Sequence, residues 1–198
     1  MRIADWAREN NALRALLQKC GNRCHVVDNR YWGDQEIYRN NQNQVRDLLN
    51  TIDLAVAANS GKTDTRRIVF LGKTGSGKSS LANMIFRDDH VFTVNHSPNS
   101  GTSVCKSVTR KVHGRVLTLI DTPGLFDTDP NSSAFSSEIM HLLEECAPGP
   151  HAFLLVLKVE KYTAQEQAVV HLILKYFSPK ALRYTTVVFT HGDNLPPV

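Results

Sequence analysis

The hydrophobic rhythm of the chain changes near residue 60. Before that point apolar residues recur at helical spacing. Leu13, Leu16, Leu17 and Cys20 fall at i, i+3, i+4 and i+7, which predicts one amphipathic helix over residues 3–20, with Trp6 extending its stripe. Gly21 is placed to stop it. A short strand is expected over 24–27, ended by Asp28 and Asn29. A second helix is expected over 36–57, with Val45, Leu48, Leu49, Ile52 and Val56 on one face. Residues 59–65, NSGKTDT, read as a polar linker.

From residue 66 short β-branched runs alternate with helical patterns. Strands are expected at 66–71, 108–112, 116–120, 152–159 and 184–189, and helices just after residue 79 and over 135–146 and 164–177. This alternation predicts an α/β fold, a mostly parallel sheet with helices on both faces. Residues 88–107 show no period and hold Asn, Ser, Pro and Gly, so a long functional or mobile loop is expected there.

Between the strand at 66–71 and the following helix stands Gly72-Lys73-Thr74-Gly75-Ser76-Gly77-Lys78-Ser79, the phosphate-loop (P-loop) pattern G-x-x-x-x-G-K-[ST], followed by Ser80. Glycines let backbone bend around a phosphate without a Cβ in the way. The loop N–H groups then converge, and the helix adds its positive N-terminal end. Lys78 reaches toward β- and γ-phosphates, and the Ser79 hydroxyl is a ligand for Mg²⁺. A glycine-rich turn with a surface lysine is the plainer alternative, and the strand and helix on either side argue against it.

Composition narrows the picture further. The 198 residues suffice for one domain with a full core. A net charge of +4 without a basic run does not point to nucleic acid. The first ten residues lack an apolar signal region, and the apolar run 152–157 is too short to span a bilayer. Four cysteines, at 20, 24, 105 and 146, are expected as reduced thiols; Cys20, Cys24 and His25 have no second pair to complete a metal site.

Ligands of open parallel sheets bind at the carboxyl ends of the strands. Asp121-Thr122-Pro123-Gly124 follows one strand and Thr190-His191-Gly192-Asp193 another. Alone, each is a turn. Beside a phosphate loop, Asp121 suits the carboxylate that holds the metal through water, and the Gly124 N–H suits a γ-phosphate. Thr102 is one of several hydroxyls in the long loop able to close over Mg²⁺. Asp193 suits guanine, because a carboxylate accepts from both N1–H and the 2-amino group, a pair that adenine lacks.

These motifs carry a resemblance. Residues 66–198 resemble the first two thirds of an AIG-type G domain, as in the GTPases of immunity-associated proteins (GIMAP), septin-related P-loop GTPases. The resemblance rests on GKTGSGKSS, on Ser100, Thr102 and Cys105, on LIDTPGLFDT, on CAPGPHAFLLVLKVEKYT and on TTVVFTHGD. It implies GTP or GDP with Mg²⁺, Thr102 as the switch threonine, contacts from His191 and Asp193, dimerisation across the nucleotide face, and a cytoplasmic or peripheral membrane location. Residues 1–58 are similar to the other end of such a domain, with Asn29 near the guanine and a closing helix. The chain thus reads as a tail piece (1–58), a linker (59–65) and a head piece (66–198) in permuted order. Leu125 stands where Ras-like enzymes place a glutamine, and Lys161 where the family carries an arginine inserted across the dimer. Three readings stay open: a slow GTPase, a GTP-binding scaffold, and a fragment of a longer tandem protein.

Overall fold

The computed structural model describes residues 3–28, 40–60, 65–94, 105–124 and 132–195, with backbone only at 59 and 60. Two short helices, α1 (Ile3–Arg8) and α2 (Asn11–Lys19), lead into β1 (Cys24–Val26), and α3 (Asn41–Ser60) follows. Then come β2 (Thr65–Leu71), α4 (Lys78–Phe86), β3 (Lys106–Val112), β4 (Arg115–Asp121), α5 (Ser133–Glu145), β5 (Ala152–Lys158), α6 (Ala164–Tyr176) and β6 (Thr185–Thr190). One six-stranded sheet results, in the order β1-β6-β5-β2-β4-β3. Only β3 is antiparallel among these described strands, joined to β4 by His113 and Gly114 at positive φ (47° and 78°), as a tight hairpin requires.

Side-chain alternation explains the layers. On β2, Ile68 and Phe70 point to one face and Val69 and Leu71 to the other; β5 and β6 alternate likewise. One face carries Val69, Leu71, Leu155 and Phe189 against α1, α2, α5 and α6. The other carries Ile68, Phe70, Val156 and Val188 against α3 and α4. Because both faces are covered, β5 reads as an unbroken apolar run rather than an alternating one. The α/β class expected from sequence, a mostly parallel sheet with helices on both faces, is the one observed.

The N-terminal segment is built into this sheet. β1 pairs parallel with β6, Cys24 opposite Val187 and Val26 opposite Phe189. Arg23 locks the junction, its guanidinium donating to the carbonyls of Arg183 (2.6 Å) and Thr185 (3.1 Å). Trp6 meets the Phe189 ring edge-on, centroids 5.6 Å apart. On the opposite face Asp53 of α3 accepts from Arg66 (3.0 Å) and Arg115 (2.5 Å), and His25 of β1 hydrogen-bonds Thr51 of α3 (2.9 Å).

Three local expectations need correction. Residues 3–20 form two helices, because the Asn10 side chain caps a new one by accepting from the Leu13 N–H (3.0 Å). The following helix begins at Asn41, where the Asn40 side chain accepts from the N–H groups of residues 42 and 43, and positions 36–39 of the expected helix lie outside the described residues. It also runs through residues 59 and 60, expected as linker. A 3-10 helix over Pro179–Tyr184, which the apolar spacing did not signal, leads into β6.

The burial of α3 sets a test. Leu48 is fully buried under the sheet, whereas Leu54, two turns along, is 74% exposed. Leu48→Ala is expected to cost about 2–5 kcal/mol in chemical denaturation, and Leu54→Ala less than about 0.5 kcal/mol. Equal, small effects would mean that α3 is not part of the core.

Candidate functional site

The phosphate-loop residues lie between β2 and α4, at the carboxyl edge of the sheet. Gly72 is required by close approach: a Cβ there would lie 2.4 Å from the Val156 carbonyl oxygen and 2.7 Å from Ser76 Oγ. Gly77 starts α4 at φ +93°, a left-handed conformation that disfavours other residues. Lys78 is buried and folds back along the loop, donating from Nζ to the carbonyls of Gly72 (2.9 Å) and Lys73 (3.1 Å). Ser76 is buried, and its hydroxyl has no hydrogen-bond partner among the described residues; the Thr74 hydroxyl is in the same condition. Such hydroxyls suit a ligand that accepts hydrogen bonds.

Two further strand ends close in on the loop. From β4, buried Asp121 accepts from the Ser79 hydroxyl at 2.6 Å, and Thr122 donates to the Phe70 carbonyl at 2.7 Å. From β6, Thr190 Oγ donates to the Ser76 carbonyl at 2.7 Å, fastening the phosphate loop to the segment that carries His191 and Asp193. His191 sits at φ 57° with Nδ1 3.1 Å from the Thr190 hydroxyl. Burial, aided by the charge of Lys158, pushes its pKa down. Gly192 donates its N–H to the Val27 carbonyl at 3.2 Å, and a Cβ on it would lie 2.8 Å from the Val26 side chain. The N-terminal strand therefore braces the loop that carries Asp193.

The structure brings together Gly72, Thr74, Gly75, Ser76, Gly77, Lys78, Ser79, Asp121, His191 and Asp193 along this edge. Ser80 is the third residue of α4 and is half-buried, and Gly124 is buried three residues past β4. Lys161 is exposed between β5 and α6. Asn29, Thr102 and Leu125 lie outside the described residues, as does the half of the long loop at 95–104; residues 105–107 of that loop are the first two residues of β3 and the residue before them.

Other participants escape the motifs. Lys158, half-buried at the end of β5, puts its Nζ 3.8 Å from where a Gly75 Cβ would be and acts electrostatically on His191. The rule that ligand groups collect at strand carboxyl ends would have flagged it. Lys73 of the phosphate loop pairs with Glu160 (2.5 Å) and with Glu166 (2.8 Å). Glu166 is buried at the start of α6, where it accepts from the N–H (2.8 Å) and hydroxyl (2.5 Å) of Thr163 in a reciprocal cap. Burial alone would raise its pKa, but the hydrogen bonds from Lys73 and Thr163 prevail and hold it down.

A glycine-cradled loop opening a helix, a carboxylate on its serine and a second motif clasped to it, all at one sheet edge, define a P-loop domain of the G-domain fold. The chain belongs to the AIG1 family, whose model matches residues 66–198. Relatives include GTPase IMAP family member 8 of Mus musculus, 30% identical over 197 residues that span 95% of this chain and 28% of that protein. Immune-associated nucleotide-binding protein 9 of Arabidopsis thaliana is 35% identical over 138 residues, 69% of this chain and 40% of that one. The chain thus spans well under half the length of these two relatives. Among solved structures, Toc33 from Arabidopsis thaliana in complex with GDP and Mg²⁺ shares the fold, with a TM-score of 0.55 and 24% identity over 76% of this chain and 60% of that one.

The depressed Glu166 pKa sets a pH dependence. A carboxyl whose folded pKa lies below its usual value near 4.5 contributes stability above that value and loses it as pH falls through the folded pKa. Glu166→Gln keeps the cap and loses the charge. It is expected to be less stable than the wild type by about 1–2 kcal/mol at pH 7, with the difference closing as pH falls below 4.5. A difference unchanged by pH in paired denaturation curves would contradict the ion pair.

Proposed function

We propose that this chain forms one guanine-nucleotide-binding G domain whose slow GTP hydrolysis is linked to dimerisation across the nucleotide face. The observation that carries the reading is the hydrogen bond from Thr190 to Ser76, which joins a phosphate loop to a base-side loop ending in Asp193. The site fits the nucleotide: Gly72 lets the loop backbone pack close against the Val156 carbonyl, and the buried Ser76 and Thr74 hydroxyls are donors that a phosphate can accept from. It also fits Mg²⁺, since Ser79 and Asp121 present the oxygen donors that hard cations take. When bound, the ion would neutralise phosphate charge, with Ser79 and Thr102 as ligands and Asp121 holding it through water. Asn29 and His191 would flank the base.

The same reading takes residues 1–58 as the tail piece of an AIG-type domain and 66–198 as a head piece, completing one site in permuted order. Its support is the pairing of β1 with β6 and the Gly192–Val27 hydrogen bond. The similarity to GTPase IMAP family member 8 covers 95% of the chain, so it extends well into the first 58 residues. On the family resemblance alone we place the protein in the cytoplasm or peripherally on intracellular membranes. Lys161 in place of an arginine favours a second reading, a GTP-binding scaffold that assembles without hydrolysis.

Two measurements separate these readings. By titration calorimetry the protein is expected to bind GTP and GDP far more tightly than ATP, and Asp193→Asn to weaken guanine nucleotides by roughly 2–3 kcal/mol. Equal affinity for ATP would remove the base assignment. Single-turnover hydrolysis is expected to be slow and to rise per molecule with protein concentration. Lys161→Arg should accelerate it about tenfold or more, since an arginine supplied in trans is worth ~10³–10⁵ in other GTPases and a lysine recovers only part of that. No hydrolysis at any concentration would leave the scaffold.

A further inference from the structure

Lys73 stands inside the phosphate loop, yet its ammonium points away from the loop's own polar groups toward two carboxylates. Its main chain is held inside the loop: the Lys73 carbonyl accepts from Lys78 Nζ (3.1 Å) and from the Ser76 N–H (3.1 Å). Glu166, one of the two carboxylates, is equally fixed, buried and capped by Thr163. Glu160 is the exposed arm, 42% accessible at its side chain, and Lys73 ties it down at 2.5 Å. The segment 160–163 is therefore pinned at both ends, Glu160 to Lys73 and Thr163 to Glu166. Lys161 lies between the pins.

We infer that Lys73, Glu160 and Glu166 form a positioning network that presents Lys161 from the nucleotide face, setting the rate of partner-assisted hydrolysis and not the affinity for nucleotide. The inference rests on the functional reading above. The physical reason is charge and reach. Two carboxylates converging on one ammonium repel each other once that ammonium is gone, and the exposed one swings out. Lysine has a flexible four-carbon stem and no planar fork, so a lysine acting across an interface needs its backbone held in place more than an arginine does. Fixing the segment supplies that orientation before the partner arrives. Neither glutamate needs to touch the nucleotide for this, so each acts through Lys161.

The test uses the full chain and two readouts, the Kd of a fluorescent GDP and the single-turnover rate of GTP hydrolysis against protein concentration. Glu160→Gln is expected to lower the limiting rate about tenfold and to leave the GDP Kd within about threefold. In a Lys161→Ala background, Glu160→Gln is expected to have no further effect on the rate, because the residue through which it acts is gone. Glu160→Asp, which keeps a carboxylate facing Lys73, is expected to retain more of the wild-type rate than Glu160→Gln. If Glu160→Gln slows the Lys161→Ala background by the same factor, or raises the Kd in proportion to the rate lost, the inference is overturned. If the wild type binds GDP and hydrolyses GTP but Glu160→Gln changes nothing, the inference alone fails. A wild type that binds no GDP removes the guanine reading and the inference with it. One that binds without hydrolysing removes the inference and leaves binding standing.

Discussion

The outer edge of β6 is the constraint on which the rest of this structure depends. A parallel strand with both faces buried carries unpaired N–H and C=O groups along any open edge, and those groups invite pairing with another strand. Here β1 covers that edge with three residues in register, extended by a hydrogen bond from the Val27 N–H to the Phe189 carbonyl (2.8 Å) and one from the Val187 N–H to the Arg23 carbonyl (3.1 Å). Three residues are a short strand, and their pairing alone is weak. The helices on either side make it hold. With β1 in place, α2 buries Leu13, Leu16 and Leu17 on one face while α3 buries Leu48, Leu49 and Ile52 on the other.

The consequence reaches the functional edge directly. A strand docked beside β6 ends beside the loop that follows β6, and the Gly192–Val27 hydrogen bond fixes that loop. Past β1, buried Asp28 is held by Asn41, which accepts from its N–H and donates to its carbonyl. Asp28 is near enough for its charge to be felt at His191. The segment that completes the sheet is thus the segment that stiffens the base-side loop. On the other flank, Lys73 links the phosphate loop to the start of α6. The site is braced from β1 and from α6, and its own loop supplies the glycines that let it close.

Much of this was legible along the chain. The glycine-lysine-serine loop announced itself because its chemistry needs particular residues at short, fixed spacing. The alternation of strand and helix after residue 66 was readable because burial on two faces leaves a periodic trace. Strand positions came within a residue or two. Local polar chemistry was harder. Asn10 and Asn40 act as caps, and in a chain rich in asparagine nothing in the apolar pattern marks which of them will do so.

The sequence by itself determined the class of fold, the phosphate loop and the strand ends where ligand groups gather, because periodicity and glycine spacing are local properties. Only the tertiary structure decided the contacts between distant segments. Thr190 meets Ser76, Asp121 meets Ser79, and Lys73 finds Glu160 and Glu166, pairs separated by 42 to 114 positions. No local pattern encodes which lysine will face which carboxylate. That choice is made when helices pack on a twisted sheet and set which side chains share a small volume, and a buried charge then keeps the partner that it finds.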